Sequence, residues 1–406
     1  MEGPTIPIPA FPDRLARDGG RQAPPVPSAG RVASIDALRG FDMFWIAGGG
    51  ALVISLLHIF VDPFPDWLEY QRNHPNWEGF SAWDMIMPLF LFIVGAAMPF
   101  SFAKRIERGA TKGELYAKIF VRAGILFVFG MAAQGNLLKY DLSQLHIYCN
   151  TLQAIACGYV IAAFVMLNFR IIWQLLAVVA LLAGYWGLMM FVPFGGKPAG
   201  TLDPDANLAQ YIDALILGRF RDPGTTYTWI LSSLGFGATV LLGVFAGCVL
   251  RTDKEPKAKC AALAALGIVC LAIGWFWGWR DSDYRFPIIK HIWTSTMVLW
   301  AGGWSYLLLA LFHLCIEMLG WKRSALFFMV IGANAIAVYM ATRLFDFHHI
   351  GDIFVGGLAR NLKEWMSGDS AALAARLGQF IRDFAAFGVI WLICLFLYVK
   401  RTFIRV

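Results

Sequence analysis

The sequence is poor in charge. Only 15% of its 406 residues are Asp, Glu, Lys or Arg, while 58% are hydrophobic and the mean hydropathy is +0.60. Soluble domains carry about 25% charged residues. A chain this apolar needs lipid as a solvent, which excludes a soluble enzyme and a disordered protein. Cysteine patterning is missing too. Seven cysteines are scattered, mostly inside apolar runs, with no CxxC and no Cys/His cluster, so neither a disulfide framework nor a zinc site is indicated. The sequence has no GxxxxGK[ST], no GxSxG and no HEXXH, which removes the P-loop, the hydrolase elbow and the zinc peptidases. Residues 1–30 hold seven prolines and no apolar core segment, so they read as a disordered tail rather than a signal peptide.

What remains is a series of long apolar runs. Ten are spaced as membrane spans, near 38–60, 84–102, 117–135, 146–167, 171–193, 229–250, 259–278, 291–316, 324–345 and 381–400. Their length excludes β-barrel strands, which are ~10 residues with alternating polarity. The expected fold is an all-α polytopic membrane protein of about ten transmembrane helices, with residues 31–406 forming a single transmembrane domain. The net charge of +7 is read as orientation rather than nucleic-acid binding, because the basic residues fall between the apolar runs. Assigned to alternate sides, 21 Lys and Arg lie on one face and 12 on the other. Both termini are therefore expected in the cytoplasm, with loops 61–83, 194–228 and 346–380 outside.

Several polar groups sit where lipid disfavours them. Asp36 and Arg39 are three apart and pair on one helix face, with Ser34 as cap; Asp42 lies deeper in the first span. Ser81 and Asp84 form a capping box in which the acid replaces the usual Glu. His74, before Pro75 in the first outward loop, is either a plain interfacial histidine or a base flanked by Trp77 and Phe80. His146, Asn150 and Gln153 recur at helical spacing and would share one face of the fourth span, lining a cavity or bonding a neighbouring helix. Lys290, His291, Trp293 and Thr294 open the eighth span with a set suited to a polar ligand such as a sugar, although each alone also serves as an interface anchor. Asn334 falls mid-span, where an amide must find a partner. Adjacent His348 and His349 point apart on a helix, so no metal is expected.

The segments Arg31–Gly40, Gly48–Gly50, His74–Gly79 and Asp84–Gly95, followed by Thr151–Ala156, Ala238–Gly247, Lys290–Ser295 and Ile331–Tyr339, occur in one order over nearly the whole chain after residue 30. This ordered set resembles the heparan-α-glucosaminide N-acetyltransferase family, in particular its bacterial NagX-like (DUF5009-type) branch. The resemblance implies a transmembrane acetyltransferase of the bacterial inner membrane. Acetyl-CoA from the cytosol would donate an acetyl group to the amine of a glucosamine-type sugar on the periplasmic side. His74 matches the family's essential histidine. Asn150, Gln153, Lys290, Trp293, Thr294, Asn334 and Asp42 are then expected around the acceptor, and Arg39, Lys104, Arg105 and Asp36 around the CoA phosphates. Acetyl-CoA, an amino sugar and the bilayer are the expected partners, with no nucleic acid; a homodimer is left open. Ile46 and Ala154 stand where lysosomal members carry Asn and Arg, which favours a bacterial amino sugar or cell-wall fragment over heparan. A solute transporter is the main rival. Broken helices and an inverted repeat would support it, and the sequence shows no repeat.

Overall fold

The computed structural model describes residues 32–279, 284–366 and 370–404. The expected tail 1–30 lies outside them. Nine helices among the described residues are long and apolar enough to cross a membrane: Ala33–Phe60, Ala82–Glu107, Lys112–Ala133, Thr151–Asn168, Ile171–Phe191, Ser233–Arg251, Pro256–Trp279, Ser295–Met318 and Ala371–Val399. A bent pair, Lys322–Gly332 and Ala335–Leu344, makes a tenth span with a 54° break. The protein is thus an all-α polytopic membrane protein. Among the described residues strand is confined to one hairpin of two-residue strands, Leu202–Asp203 with Ala206–Asn207.

The chain divides into two compact units. The first is built from Trp77–Phe80 and Met87–Leu314. Its helices approach closely because small residues line their contacts. A Cβ on Gly243 would meet the Phe92 carbonyl oxygen at 1.9 Å, and one on Gly95 would meet that of Val240 at 1.9 Å. The second and sixth spans therefore touch backbone to backbone. At one end of this unit Tyr185, Met189, Phe194, Leu208, Phe286 and Ile289 form a core that holds loop 194–228. Asp213, on the loop helix Leu208–Leu217, accepts the Trp229 and Ile230 N–H groups at 2.8 and 2.9 Å. Burial pushes its carboxyl up to about 6, against the opposing pull of those two donors and of Arg221.

The second unit comprises Ala33–Asn76, Ser81–Ile86 and the chain from Cys315 onward. The first span is interrupted at Trp45–Gly49, where Gly48 adopts a φ of +98°. Only glycine takes that conformation without strain. Gly40 lies against the Phe328 carbonyl, which fixes the first span on Lys322–Gly332. Loop 346–380 contains a further helix, Phe347–Trp365, packed on Ala371–Val399 through Gly351 and Ala386.

Helix starts differ from the periodicity: the last span begins at Ala371 rather than 381, and two other starts are set by caps. The fourth span begins at Thr151, not 146, because Asn150 caps it and its side chain accepts the Leu152 N–H. His146, Asn150 and Gln153 therefore do not form one helical stripe. The eighth begins at Ser295, with Thr294 as its cap. In both cases a side-chain oxygen captures an early N–H and stops the helix from extending backwards.

Candidate active site

The connection between the first two spans is built by short-range chemistry. Asp66–Arg72 forms a short helix in which Arg72 grips Glu69 with Nε and a terminal nitrogen at 2.7 and 2.8 Å. Asn73 turns back to the Glu69 carbonyl at 2.9 Å, and Pro75 then keeps His74 extended. The second span opens on Ser81. The Asp84 Oδ2 accepts the Ser81 N–H at 3.0 Å and the Ser81 hydroxyl at 3.3 Å, which is the expected capping box.

The other Asp84 oxygen makes the site. Oδ1 lies 2.5 Å from His74 Nδ1. The Asp84 side chain is 2% exposed and that of His74 is 42% exposed. With Asp84 as the acceptor, this contact is an Nδ1–H donated to Oδ1, the tautomer an orienting acid selects. Nε2 then carries the lone pair on the exposed side of the ring. This is the arrangement of a general base with its orienting acid. Sequence reading found both residues separately but assigned Asp84 only to the cap. The available signal was a carboxylate opening a span ten residues after a loop histidine.

Beyond His74 the loop contributes to the first unit. Trp77 stacks on His291 with centroids 5.5 Å apart and planes 9° apart, and its Nε1 donates to the Leu202 carbonyl at 2.8 Å. Tyr227 lies 4.5 Å from the same imidazole. Gly79 N–H donates to the Ile288 carbonyl at 2.9 Å, and Arg285 pairs with Glu78 at 2.6 Å. Neither the stack nor the ion pair could be read from spacing, because their members lie over 200 residues apart.

The other expected site residues divide by what their polar atoms already do. The Gln153 Oε1 accepts the Cys149 and Asn150 N–H groups at 2.8 and 3.0 Å, while its amide donates to the carbonyls of Ile147 and Phe127. Asn150 Nδ2 bonds Gln134. Trp293 is buried and donates to the Thr239 hydroxyl at 3.2 Å. The Thr294 hydroxyl bridges Ile289 N–H and its own helix cap. Asn334 holds the Thr402 carbonyl and the Ile404 N–H. Lys290 is buried at 7% exposure. Asp42 differs from all of these: it is 1% exposed, and neither carboxylate oxygen has a hydrogen-bond partner among the described residues.

Asp36 and Arg39 pair at 3.1 Å, as their spacing predicts. Lys104 and Arg105 lie in the last turn of Ile86–Glu107, at the opposite end from Asp84 of one continuous helix. Twenty residues at 1.5 Å each separate Asp84 from Lys104, or about 30 Å, the thickness of the hydrocarbon core. Among the described residues no group of three His, Cys, Asp or Glu side chains could hold a metal ion.

Fold and dyad together define a polytopic helical membrane protein with a histidine–aspartate pair at one end of a span and cations at the other. Residues 31–206 match the family model described as "Domain of unknown function (DUF5009)". The chain is 23% identical over 373 residues to human heparan-α-glucosaminide N-acetyltransferase, covering 78% of this chain and 53% of that protein. The mouse protein of the same name gives 22% over 379 residues, covering 79% and 54%. The resemblance read from the ordered motifs is borne out. The matched region spans about half the length of these relatives.

Proposed function

We propose that this protein is a transmembrane N-acetyltransferase that moves an acetyl group from acetyl-CoA on the cytosolic side to the amine of a glucosamine-type sugar on the periplasmic side of a bacterial inner membrane. The His74–Asp84 dyad carries the reading. A protonated amine cannot attack a thioester, so it needs a base at the face where the sugar arrives. Nε2 of His74 takes that proton, and Asp84 holds Nδ1–H and stabilises the imidazolium that results. The Ser81 N–H and hydroxyl hold the other Asp84 oxygen in place. Acetyl-CoA supplies the activated acyl group. Lys104 and Arg105 meet its phosphates from the other membrane face, and the excess of Lys and Arg in the loops on their side supports a cytosolic location.

On the acceptor side, Asp42, whose carboxylate oxygens have no hydrogen-bond partner among the described residues, is the candidate for the sugar ammonium. Asn150, Gln153 and Thr294 shape helix starts in the first unit, Trp293 bonds Thr239, and Asn334 holds Thr402 and Ile404 in the second. Asp36 serves by orienting Arg39. The family similarity supports acetyl transfer in general, and the bacterial acceptor rests on the departures at Ile46 and Ala154.

The test uses purified protein in proteoliposomes with labelled acetyl-CoA and glucosamine. Label is expected on the sugar amine with wild type and not with His74→Ala. Full transfer by a well-expressed His74→Ala protein would end the assignment of His74. The breaks at Gly48 and at Ala333–Asn334 favour one other reading, a solute transporter, because transporters bind substrate at interrupted helices. Saturable sugar uptake without CoA would establish it instead.

A further inference from the structure

An arginine inside the third span has no role in the dyad, the loops or the expected CoA contacts. Arg122 lies ten residues into Lys112–Ala133, about 15 Å from its first residue. Its guanidinium carbon stands 4.7 Å from the centre of the Tyr159 ring. Tyr159 is 3% exposed, sits midway along Thr151–Asn168, and is backed by Phe102. Arg122 is half-buried, with its guanidinium held against this aromatic face.

Its hydrogen-bonding capacity is unused. Nε is buried with no partner, and no described acid pairs with the side chain. Glu114, two turns earlier on the same helix, is engaged with Thr111. Lys118, one turn earlier, adds a second cation on the same side of the helix. A guanidinium at this depth without an anion is costly, and such residues mark ligand sites in membrane proteins. The fork of donors matches phosphate oxygens in pairs.

We propose that Arg122 is a phosphate-binding side chain, positioned by Tyr159, that takes the diphosphate of the acyl donor within the bundle. The inference rests on the acetyltransferase reading and deepens it. A thioester delivered to the far face of a ~30 Å hydrocarbon core hangs on an arm shorter than that core. Its diphosphate must therefore pass beyond the surface cations Lys104 and Arg105, which are left to the ribose phosphate.

The experiment measures binding of CoA, ADP and phosphate-free pantetheine to purified protein in nanodiscs, by calorimetry and ligand-induced thermal shift. Arg122→Gln should weaken CoA and ADP by about tenfold or more, the scale of one charge-assisted hydrogen bond, and leave pantetheine unchanged. Arg122→Lys keeps the charge but loses the fork and should fall between. Tyr159→Leu should weaken CoA although Arg122 is intact, and Tyr159→Phe should not. Unchanged CoA affinity in a folded Arg122→Gln or Arg122→Lys protein overturns the proposal. So does unchanged CoA affinity with loss of co-purified anionic phospholipid, which would assign the phosphate to a lipid headgroup. Failure of wild type to bind CoA at all would instead remove the acetyltransferase reading itself.

Discussion

The openings of the second and fourth spans use the same local device to opposite ends. At the fourth, Asn150 and Gln153 close on each other's backbone and on Gln134, Ile147 and Phe127, and no amide is left for a ligand. At the second, Ser81 and Asp84 form an equivalent box, but one carboxylate oxygen reaches out to His74. The difference is one of valence. A carboxylate has acceptor sites beyond those a cap requires, and a Gln at that position has its donors to place as well. A capping box becomes part of an acid–base pair when its third residue is an acid and a histidine lies within reach.

The sharpest test of this contrast is at the dyad. His74→Ala should lower acetyl transfer by about 10²–10⁴-fold, the usual contribution of a positioned base, with a smaller loss of thermal stability than Asp84→Asn, because the His74 side chain is 42% exposed and that of Asp84 only 2%. Asp84→Asn should lower transfer strongly and also cost stability, since it serves both the cap and the base. A stable, active Asp84→Asn protein would reduce the second-span opening to a plain cap.

The fourth-span opening should behave in reverse. Gln153→Ala strips two buried N–H groups of their acceptor and should cost about 2–4 kcal/mol of stability, read as a lower melting midpoint, while the KM of the surviving protein stays near wild type. A large KM change with normal stability would break the comparison and return Gln153 to the acceptor.

Asp42 offers a milder test. Replacing a buried, unpartnered carboxylate by Asn should leave stability unchanged or raise it by about 1 kcal/mol, while KM for the amino sugar rises if Asp42 meets the ammonium. Loss of stability with unchanged KM would identify Asp42 as a structural group.

The smallest effect concerns Asp213. Its folded carboxyl is raised to about 6 by burial, above the unfolded value near 3.8. The folded protein therefore holds this proton more tightly, and the contribution of Asp213 to stability falls as pH rises from about 4 through about 6. The wild-type minus Asp213→Asn difference in melting midpoint should decline over that window and level off above it. A flat difference would show that the Trp229 and Ile230 donors fully offset burial.

Much of the architecture follows from composition. Among the described residues, ten apolar runs become nine spans, the first of them interrupted at Gly48, and one bent pair, because burying backbone in lipid leaves the helix as the form that satisfies its own hydrogen bonds. The Ser81–Asp84 box and the Asp36–Arg39 pair were legible for the same reason: their partners are three residues apart, so local geometry alone brings them together. The start of the fourth span was misjudged because hydrophobic periodicity runs through Asn150, whereas capping is decided by one side-chain oxygen. Tertiary structure alone decided three things. It turned the loop so that His74 meets Asp84. It laid Trp77 on His291 across more than 200 residues. It left Asp42 without a partner and Arg122 against the ring of Tyr159. Contacts of that kind depend on the path of the chain between their members, and no local preference encodes that path.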